Sequence, residues 1–198
     1  MLGLVGIILA FWIISNILLT LVPQLILKNK KFIQDNIPKY SNGMIIAHLG
    51  IALLILGITG SSIWQKEKII RMKVNDKTEI HNYNIVFKEI NKIAGPNYLA
   101  LQGNFWVYNK KKNIIAELKP ENRFYPVANN STTEASIHTN LLRDLYIVLG
   151  EGDINKGWVV RIYYNPLVIW IWIGAFMIFL GGLFSIKSNL KFIKRLTL

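Results

Sequence analysis

The chain has 198 residues, of which 52% are hydrophobic, and it carries a formal net charge of +12 without a single cysteine. The missing cysteine excludes disulfides, thiolate metal sites and thiol nucleophiles, and so large an apolar share is atypical of a soluble domain of this length. A basic balance fits either a nucleic-acid partner or a membrane surface, and the placement of the charges decides between them.

Three apolar blocks predict three transmembrane helices, at residues 1–27, 42–64 and 166–186. The first block has no charged residue before Lys28, and each block is long enough to cross a hydrocarbon core of roughly 30 Å. The sequence therefore predicts an integral membrane protein that is embedded in the lipid bilayer.

The two segments that border these blocks carry most of the excess charge. Residues 28–41 contain four lysines and one aspartate, and residues 187–198 contain three lysines and one arginine without any acid. Lysine and arginine collect on the cytoplasmic side of membrane proteins. We therefore expect a basic cytoplasmic or matrix loop, a basic tail on the same side, and residues 65–165 on the opposite, extracytoplasmic side. This placement favours topology over nucleic-acid binding, and no nucleic-acid partner is expected.

Residues 65–165 have the alternating, β-branched and aromatic pattern of short antiparallel strands, which predicts a small barrel or sandwich. Together with the helices, the expected fold class is membrane α plus β. Pro120–Asn140 is less regular, and it predicts either a long functional loop or an unrecognised strand. The predicted strands are Lys68–Val74, Thr78–Ile90, Tyr98–Asn109, Asn113–Lys119, Arg143–Gly150 and Gly157–Tyr164.

His48 is the ionisable side chain that the predicted spans contain, about two turns into the second one. An ionisable group in hydrocarbon is costly and is a functional hypothesis by default. Imidazole is a good axial ligand for haem iron, but a single interhelical hydrogen bond would also explain a histidine here. From the residues alone both readings stay open. His81, on a predicted strand, and His138 read as surface or hydrogen-bonded histidines.

Arg123, Arg143 and Arg161 are candidates for forked hydrogen bonds to carboxylates such as haem propionates. Local ion pairs, such as Arg143 with Asp144 or with Glu134, are the alternative use. The chain has no phosphate-binding loop, no dinucleotide fingerprint and no metalloprotease motif, so catalytic residues stay unassigned.

Five glycines in the predicted spans would let helices approach closely, since a missing side chain allows backbone contact. They are Gly50, Gly57, Gly174, Gly181 and Gly182.

An ordered series of short motifs between residues 43 and 186 resembles the C-terminal part of the CcmF family, the cytochrome c-type biogenesis proteins also called haem lyase subunits. Each motif is weak by itself, and their succession is specific. The motifs are Ala47-His48-Leu49-Gly50, Arg71-Met72, Gly95-Pro96-Asn97-Tyr98, Glu121-Asn122-Arg123-Phe124-Tyr125-Pro126, Thr132-Thr133-Glu134-Ala135, Arg143-Asp144-Leu145-Tyr146, Leu149-Gly150-Glu151, Gly157-Trp158-Val159-Val160-Arg161 and Pro166-Leu167-Val168-Ile169-Trp170-Ile171-Trp172.

The resemblance implies a polytopic membrane protein that takes haem from a haem chaperone and attaches it to apocytochrome c, with thiol-handling subunits as further partners. It also implies a b-type haem held inside the membrane by two histidines from different helices. His48, by its Ala-His-Leu-Gly context, matches one of them as an axial ligand of the haem iron. The implied location is a bacterial or mitochondrial inner membrane, with the β domain on the periplasmic or intermembrane-space side.

The family's tryptophan-rich segment, its outer-face histidines and its other membrane histidine lie upstream of the matched part. Since one helix precedes His48 here, we expect a C-terminal subunit of a split CcmF-like haem lyase, inactive alone, sharing haem b with the upstream half. Two alternatives are a non-enzymatic membrane assembly factor whose outer domain binds partner proteins, and a component of a haem transporter.

Overall fold

The computed structural model describes residues 2–26 and 42–196, with side chains for residues 3–22 and 42–186. The described chain forms two compact units, one of helices and one that comprises Trp64–Pro166. The predicted basic loop at residues 28–41 lies outside the described residues.

The helical unit contains α1 (Leu2–Ile26), α2 (Asn42–Ile63) and α3 (Val168–Leu196). All three are long and apolar enough to cross a membrane, over Gly3–Val22, Asn42–Ile63 and Val168–Ile186. The third helix begins two residues later than predicted, and its membrane-type span ends at Ile186. Pro166 closes a strand rather than opening the helix, and the backbone stays helical to Leu196, through the segment expected to be a basic tail.

Helices α2 and α3 pack backbone to backbone through glycines seven residues apart. A Cβ on Gly50 would lie 2.7 Å from the carbonyl oxygen of Gly174, and one on Gly181 would lie 2.6 Å from that of Gly43. Gly57 faces Ile171 in the same way. Glycine at these positions lets the two helix axes approach, because any side chain would displace the facing backbone.

The expected role of Gly182 is wrong, since a Cβ there would meet nothing within 4 Å. Two glycines one residue apart point about 100° apart around a helix, so Gly181 and Gly182 cannot share one interface.

Helix α1 packs antiparallel on α2, with its amino-terminal turns beside the end of α2. A methyl group added to Gly3 would overlap Ile63, and one added to Gly6 would overlap Thr59. In this arrangement the middle of α1, including Asn16, comes level with His48 near the start of α2.

The second unit is built from ten antiparallel strands in two sheets. One sheet has the order β1-β10-β9-β8, and the other has the order β2-β3-β4-β6-β7, with β5 also paired to β4. The strands are β1 (Lys66–Met72), β2 (Lys77–Ile80), β3 (Tyr83–Ala94), β4 (Leu99–Tyr108), β5 (Ile114–Leu118), β6 (Glu121–Tyr125), β7 (Asn130–Glu134), β8 (Ser136–Thr139), β9 (Arg143–Asp153) and β10 (Gly157–Pro166).

The core lies between the two sheets and follows the alternation seen in the sequence. Phe87 and Phe105 stack with ring centroids 4.4 Å apart, and Trp158 meets Phe87 edge-on at 5.9 Å. On β9 the alternate residues Leu145 and Ile147 are fully buried and belong to the same core as these rings. Aromatic and branched side chains on the inner faces of two sheets form a sandwich core. The expected fold class, three membrane-type helices with an antiparallel β domain, is confirmed.

One detail of the strand prediction is wrong. Thr78–Ile90 is not one strand, because the chain reverses at the His81–Asn82 turn and β2 pairs with β3 as a hairpin. Of the two alternatives for Pro120–Asn140, the structure shows the unrecognised strand rather than the long loop, since the segment contributes β6, β7 and β8. Their polar side chains lack the apolar alternation of the other strands, since much of this hairpin faces away from the core.

Candidate functional site

His48 lies on α2, in the second turn of the helix, and its side chain is exposed in the isolated chain. The preceding residue, Ala47, faces α3, where it contacts Gly181. One residue further around the helix, His48 therefore points away from the glycine interface and towards the side where α1 packs. The close packing of α2 on α3 leaves the imidazole free of that interface.

The hydrogen bond of His48 fixes which ring nitrogen carries the proton. Its Nδ1 lies 2.8 Å from the carbonyl oxygen of Met44, one turn earlier in the same helix. A carbonyl oxygen only accepts, so Nδ1 must donate, and the neutral ring then carries its lone pair on Nε2. This tautomer is the one in which Nε2 is ready to bind a metal, with Nδ1–H held by a second partner.

A cleft of about 200 Å³ opens beside the imidazole, between α1 and α2. Its wall is mostly aliphatic and aromatic, with the polar groups of His48 and Asn16 set into it. A mostly apolar cavity with few polar groups is typical of cofactor sites. Seven residues line it: Trp12, Ile13, Asn16, Ile17, Met44, Ile45 and His48.

Asn16 is the cleft residue that sequence reasoning missed. Its Nδ2 donates to the carbonyl oxygen of Trp12 at 2.7 Å, and Thr20 Oγ1 donates to the carbonyl oxygen of Asn16 at 2.9 Å. Both polar side chains are thus satisfied within their own helix, which lets α1 remain apolar enough to span a membrane. The sequence did contain a signal for this residue, because Asn16 is an amide side chain within the otherwise apolar first block.

A buried arginine occupies one end of the β unit. Arg143 is only 2% exposed, although it takes the first inward position of β9, in line with the core residues. Its Nε donates to the Tyr83 hydroxyl at 3.0 Å, and its Nη1 lies 2.7 Å from both the carbonyl oxygen and Nδ1 of His138. The guanidinium also lies over the Tyr83 ring, 4.6 Å from its centroid.

The expected ion pair of Arg143 with Asp144 or Glu134 is therefore wrong. Adjacent residues on a strand point to opposite faces, so Asp144 cannot reach the inward-facing guanidinium. Glu134 instead approaches Arg123, with 3.9 Å between Arg123 Nη1 and the carboxylate. Arg143 joins the two sheets through neutral acceptors.

The two histidines of the β unit have different surroundings. Burial, reinforced by the positive charge of Arg143, lowers the pKa of His138, whose Nδ1 must accept from the guanidinium. His81 is exposed in the two-residue turn, with a φ of 53°, and stacks on Tyr164 at 4.4 Å. Partial desolvation and the charges of Lys66 and Lys110 lower its pKa.

The three candidate arginines do not come together. Arg123 forms an ion pair of 2.8 Å with Glu121, which lowers the pKa of that carboxyl, and lies 4.4 Å over the ring of Tyr98. Arg161 is exposed on the outer face of β10, beside a stacked pair of tyrosines. Within residues 2–26 and 42–196 no three metal-ligating side chains cluster, so a protein-only metal site is not found there.

Comparison with known proteins gives consistent matches. Residues 63–166 match the family model described as the CcmF C-terminal beta-sandwich. The cytochrome c-type biogenesis protein CcmF of Escherichia coli K12 is 41% identical over 141 residues, which are 71% of this chain and 22% of that protein. The cytochrome c-type biogenesis protein ccl1 of Rhodobacter capsulatus is 33% identical over 153 residues, which are 77% of this chain and 23% of that protein.

A solved structure described as cytochrome c heme lyase CcmF shares the fold, with a TM-score of 0.59 at 20% identity over 72% of this chain and 24% of that one. The chain thus spans about a fifth of the length of the curated relatives it matches.

Proposed function

Because the chain belongs to the CcmF family of cytochrome c-type biogenesis proteins, we propose that it acts in cytochrome c maturation as the C-terminal part of a haem lyase. In this proposal His48 would hold the iron of a b-type haem inside the membrane. The remaining part of the haem lyase would supply a second ligand and the surface on which haem is attached to apocytochrome c.

The observation that carries the proposal is the hydrogen bond that orients the His48 imidazole. Its Nδ1–H is held by the carbonyl oxygen of Met44, so the lone pair of the neutral ring lies on Nε2. The ring is exposed in a cleft with mostly apolar walls. The hydrogen bond is intrahelical and does not itself join two helices, which supports ligation over a single interhelical hydrogen bond.

The residues at the cleft fit half of a haem site. His48 supplies one nitrogen donor, while the aliphatic and aromatic side chains beside it offer the surroundings that a porphyrin face requires. When bound, the haem would supply one-electron redox chemistry to this membrane segment. His48 would fix the iron from one side, and the Met44 carbonyl would hold the ring orientation and increase the basicity of Nε2.

The family relationship extends the proposal to location and partners. We place the helices in a bacterial or mitochondrial inner membrane and the β unit on the extracytoplasmic side, which the basic segments at residues 28–41 and 187–198 support. The proposed partners are the upstream part of the haem lyase, a haem chaperone, apocytochrome c and its thiol-handling subunits. Because the chain spans about a fifth of its relatives, it is not proposed to be active alone.

The test is a spectroscopic comparison of variants in the assembled complex. The chain is co-expressed with the upstream part, the complex is purified in detergent, and reduced-minus-oxidised visible spectra are recorded. His48→Ala is expected to lose or strongly weaken the b-type spectrum. His48→Met keeps a donor for iron, and we expect a retained haem with a higher reduction potential, because methionine ligation raises it.

His81→Ala is the matched control, since it also removes a histidine but from an exposed turn of the β unit. It should leave the spectrum unchanged. A spectrum that survives His48→Ala would remove His48 from the haem site. A complex without haem in every variant would favour the assembly-factor function, in which the β unit only binds partner proteins.

A further inference from the structure

One end of the β unit combines exposed leucines with a cluster of cations. This end is where β1 begins, β10 ends and β9 begins, as the pairing of Lys66 with Tyr164 and of Arg143 with Pro166 shows. The turn from Asn140 to Leu142 precedes β9 at this end. The turn from Lys110 to Lys112 follows β4, whose end pairs with the start of β3, and Lys110 shares a cleft with His81, which contacts Tyr164. We call this surface the linker end.

The turn that carries the two leucines of the linker end is hydrogen-bonded, and it directs both side chains outward. Leu141 is 66% exposed and Leu142 is 68% exposed. Asn140 Oδ1 accepts from the backbone N–H groups of Leu142 and Arg143, each at 2.9 Å, and the backbone of Asn140 donates to the Arg143 carbonyl. Because Arg143 is buried and hydrogen-bonded across the sheets, the turn that it anchors cannot fold its leucines into the core.

Lysines lie at the same end of the β unit as these leucines, where the acids Glu67 on β1 and Asp144 on β9 also lie. His81 lies in the fields of Lys66 and Lys110, which help to lower its pKa, so both lysines lie near it. Lys111 and Lys112 are exposed in the same turn as Lys110. Glu79 is the acid in the cleft that His81 and Lys110 line. Exposed apolar side chains with lysines around them are the composition that binds at a bilayer interface.

The covalent links restrict how far this end can lie from a membrane. Two residues, Trp64 and Gln65, join α2 to β1, and one residue, Leu167, joins β10 to α3. At most about 3.6 Å per residue, such links reach no more than roughly 10 Å. Both helices are apolar enough to cross a membrane, so the linker end is tethered within reach of lipid headgroups.

We propose that the linker end is a membrane-docking surface, in which Leu141 and Leu142 enter the bilayer interface while Lys66 and Lys110–Lys112 contact lipid phosphates. The occupant is the lipid surface itself rather than another protein.

The absence of cysteine makes a labelling test direct. The full chain is reconstituted in bilayers of phosphatidylcholine and phosphatidylglycerol, as Leu141→Cys, Leu142→Cys or Ile154→Cys, each carrying an environment-sensitive fluorophore. Ile154 is the matched control, because it is an aliphatic turn residue, 81% exposed, at the far end of β9, at most roughly 40 Å away along the strand. Quenching is measured with nitroxide lipids and with aqueous iodide.

We expect several-fold stronger quenching by nitroxide lipids, with a blue-shifted emission, at positions 141 and 142 than at 154, and the reverse order with iodide. Equal behaviour of the three labels would place the leucines in water and overturn the proposal. Labels at 141 and 142 that resist both quenchers would mean that protein covers them, which would overturn it as well.

The lysines are tested in the Leu142→Cys background with the double substitution Lys110→Glu and Lys112→Glu. Lipid quenching of the label should fall, because reversed charge repels the phosphates. Lys156→Glu, in the far turn, changes the net charge without touching the linker end and should leave quenching unchanged. Equal quenching in both variants would remove the lysines from the proposed contact.

Discussion

The glycine interface between α2 and α3 gives a prediction with an internal control. In Gly174→Ala the new Cβ would lie 2.6 Å from the carbonyl oxygen of Gly50 and 2.7 Å from the backbone nitrogen of Leu54. Ordinary contact begins at 3.4 Å, so the helices must separate by about 0.8 Å at this point. Both obstructing atoms are backbone, which cannot rotate away as a side chain would.

The expected cost is that of overpacking, about 1–3 kcal/mol. Replacing glycine by alanine inside a helix also gains about 1 kcal/mol of helix propensity, which would hide part of that cost. Gly182→Ala has the same propensity gain but meets no atom within 4 Å. The difference between the two variants therefore isolates the packing term, and Gly174→Ala should be the less stable by about 1–3 kcal/mol.

The assay is unfolding of the full chain in mixed micelles, titrated with a denaturing detergent and followed by circular dichroism. Gly182→Ala is expected to match or exceed the parent chain, while Gly174→Ala unfolds earlier. Equal stability of the two variants would refute the close backbone contact. In the haem-loaded complex, Gly174→Ala should also broaden the spectrum, because α2 carries His48.

Two further predictions concern the buried arginine network. Arg143→Gln should lower the free energy of unfolding of the β unit by roughly 2–5 kcal/mol, because it leaves Tyr83 and His138 without their buried donor. The control Arg161→Gln, at an exposed arginine, should change it by less than about 0.5 kcal/mol. Thermal unfolding measures both variants, and equal midpoints would contradict the network. The pKa of His138 is lowered on folding, so the unfolded chain binds the proton more readily, and stability present above about pH 6.5 should decline as the pH falls below that value. His138→Gln should flatten this pH dependence, which is measured as the free energy of unfolding from denaturant titrations between about pH 7 and about pH 5. If the variant keeps the same dependence on pH, other groups cause it.

The family and the fold class were readable from local patterns. Long apolar blocks predict membrane helices because lipid leaves a backbone few alternatives, and alternation in segments such as Tyr83–Phe87 predicts strands with one buried face. The ordered motifs predicted the CcmF family, which the family match confirms. The strand boundaries were less accurate around residues 120–140, where the hairpin is polar and its pairing is decided by its neighbours.

The sequence by itself singled out His48, since one ionisable residue in an apolar block needs no fold to be noticed. Which ring nitrogen donates followed from the local helix geometry, because Nδ1 faces the Met44 carbonyl oxygen one turn earlier, whereas the cleft beside the ring required the packing of α1 on α2. The packing role of Gly174 and the absence of one for Gly182 followed from which helix face meets α2. Likewise, the sequence suggested a carboxylate partner for Arg143. The structure places it on the inner face of β9, where it donates hydrogen bonds across the two sheets instead.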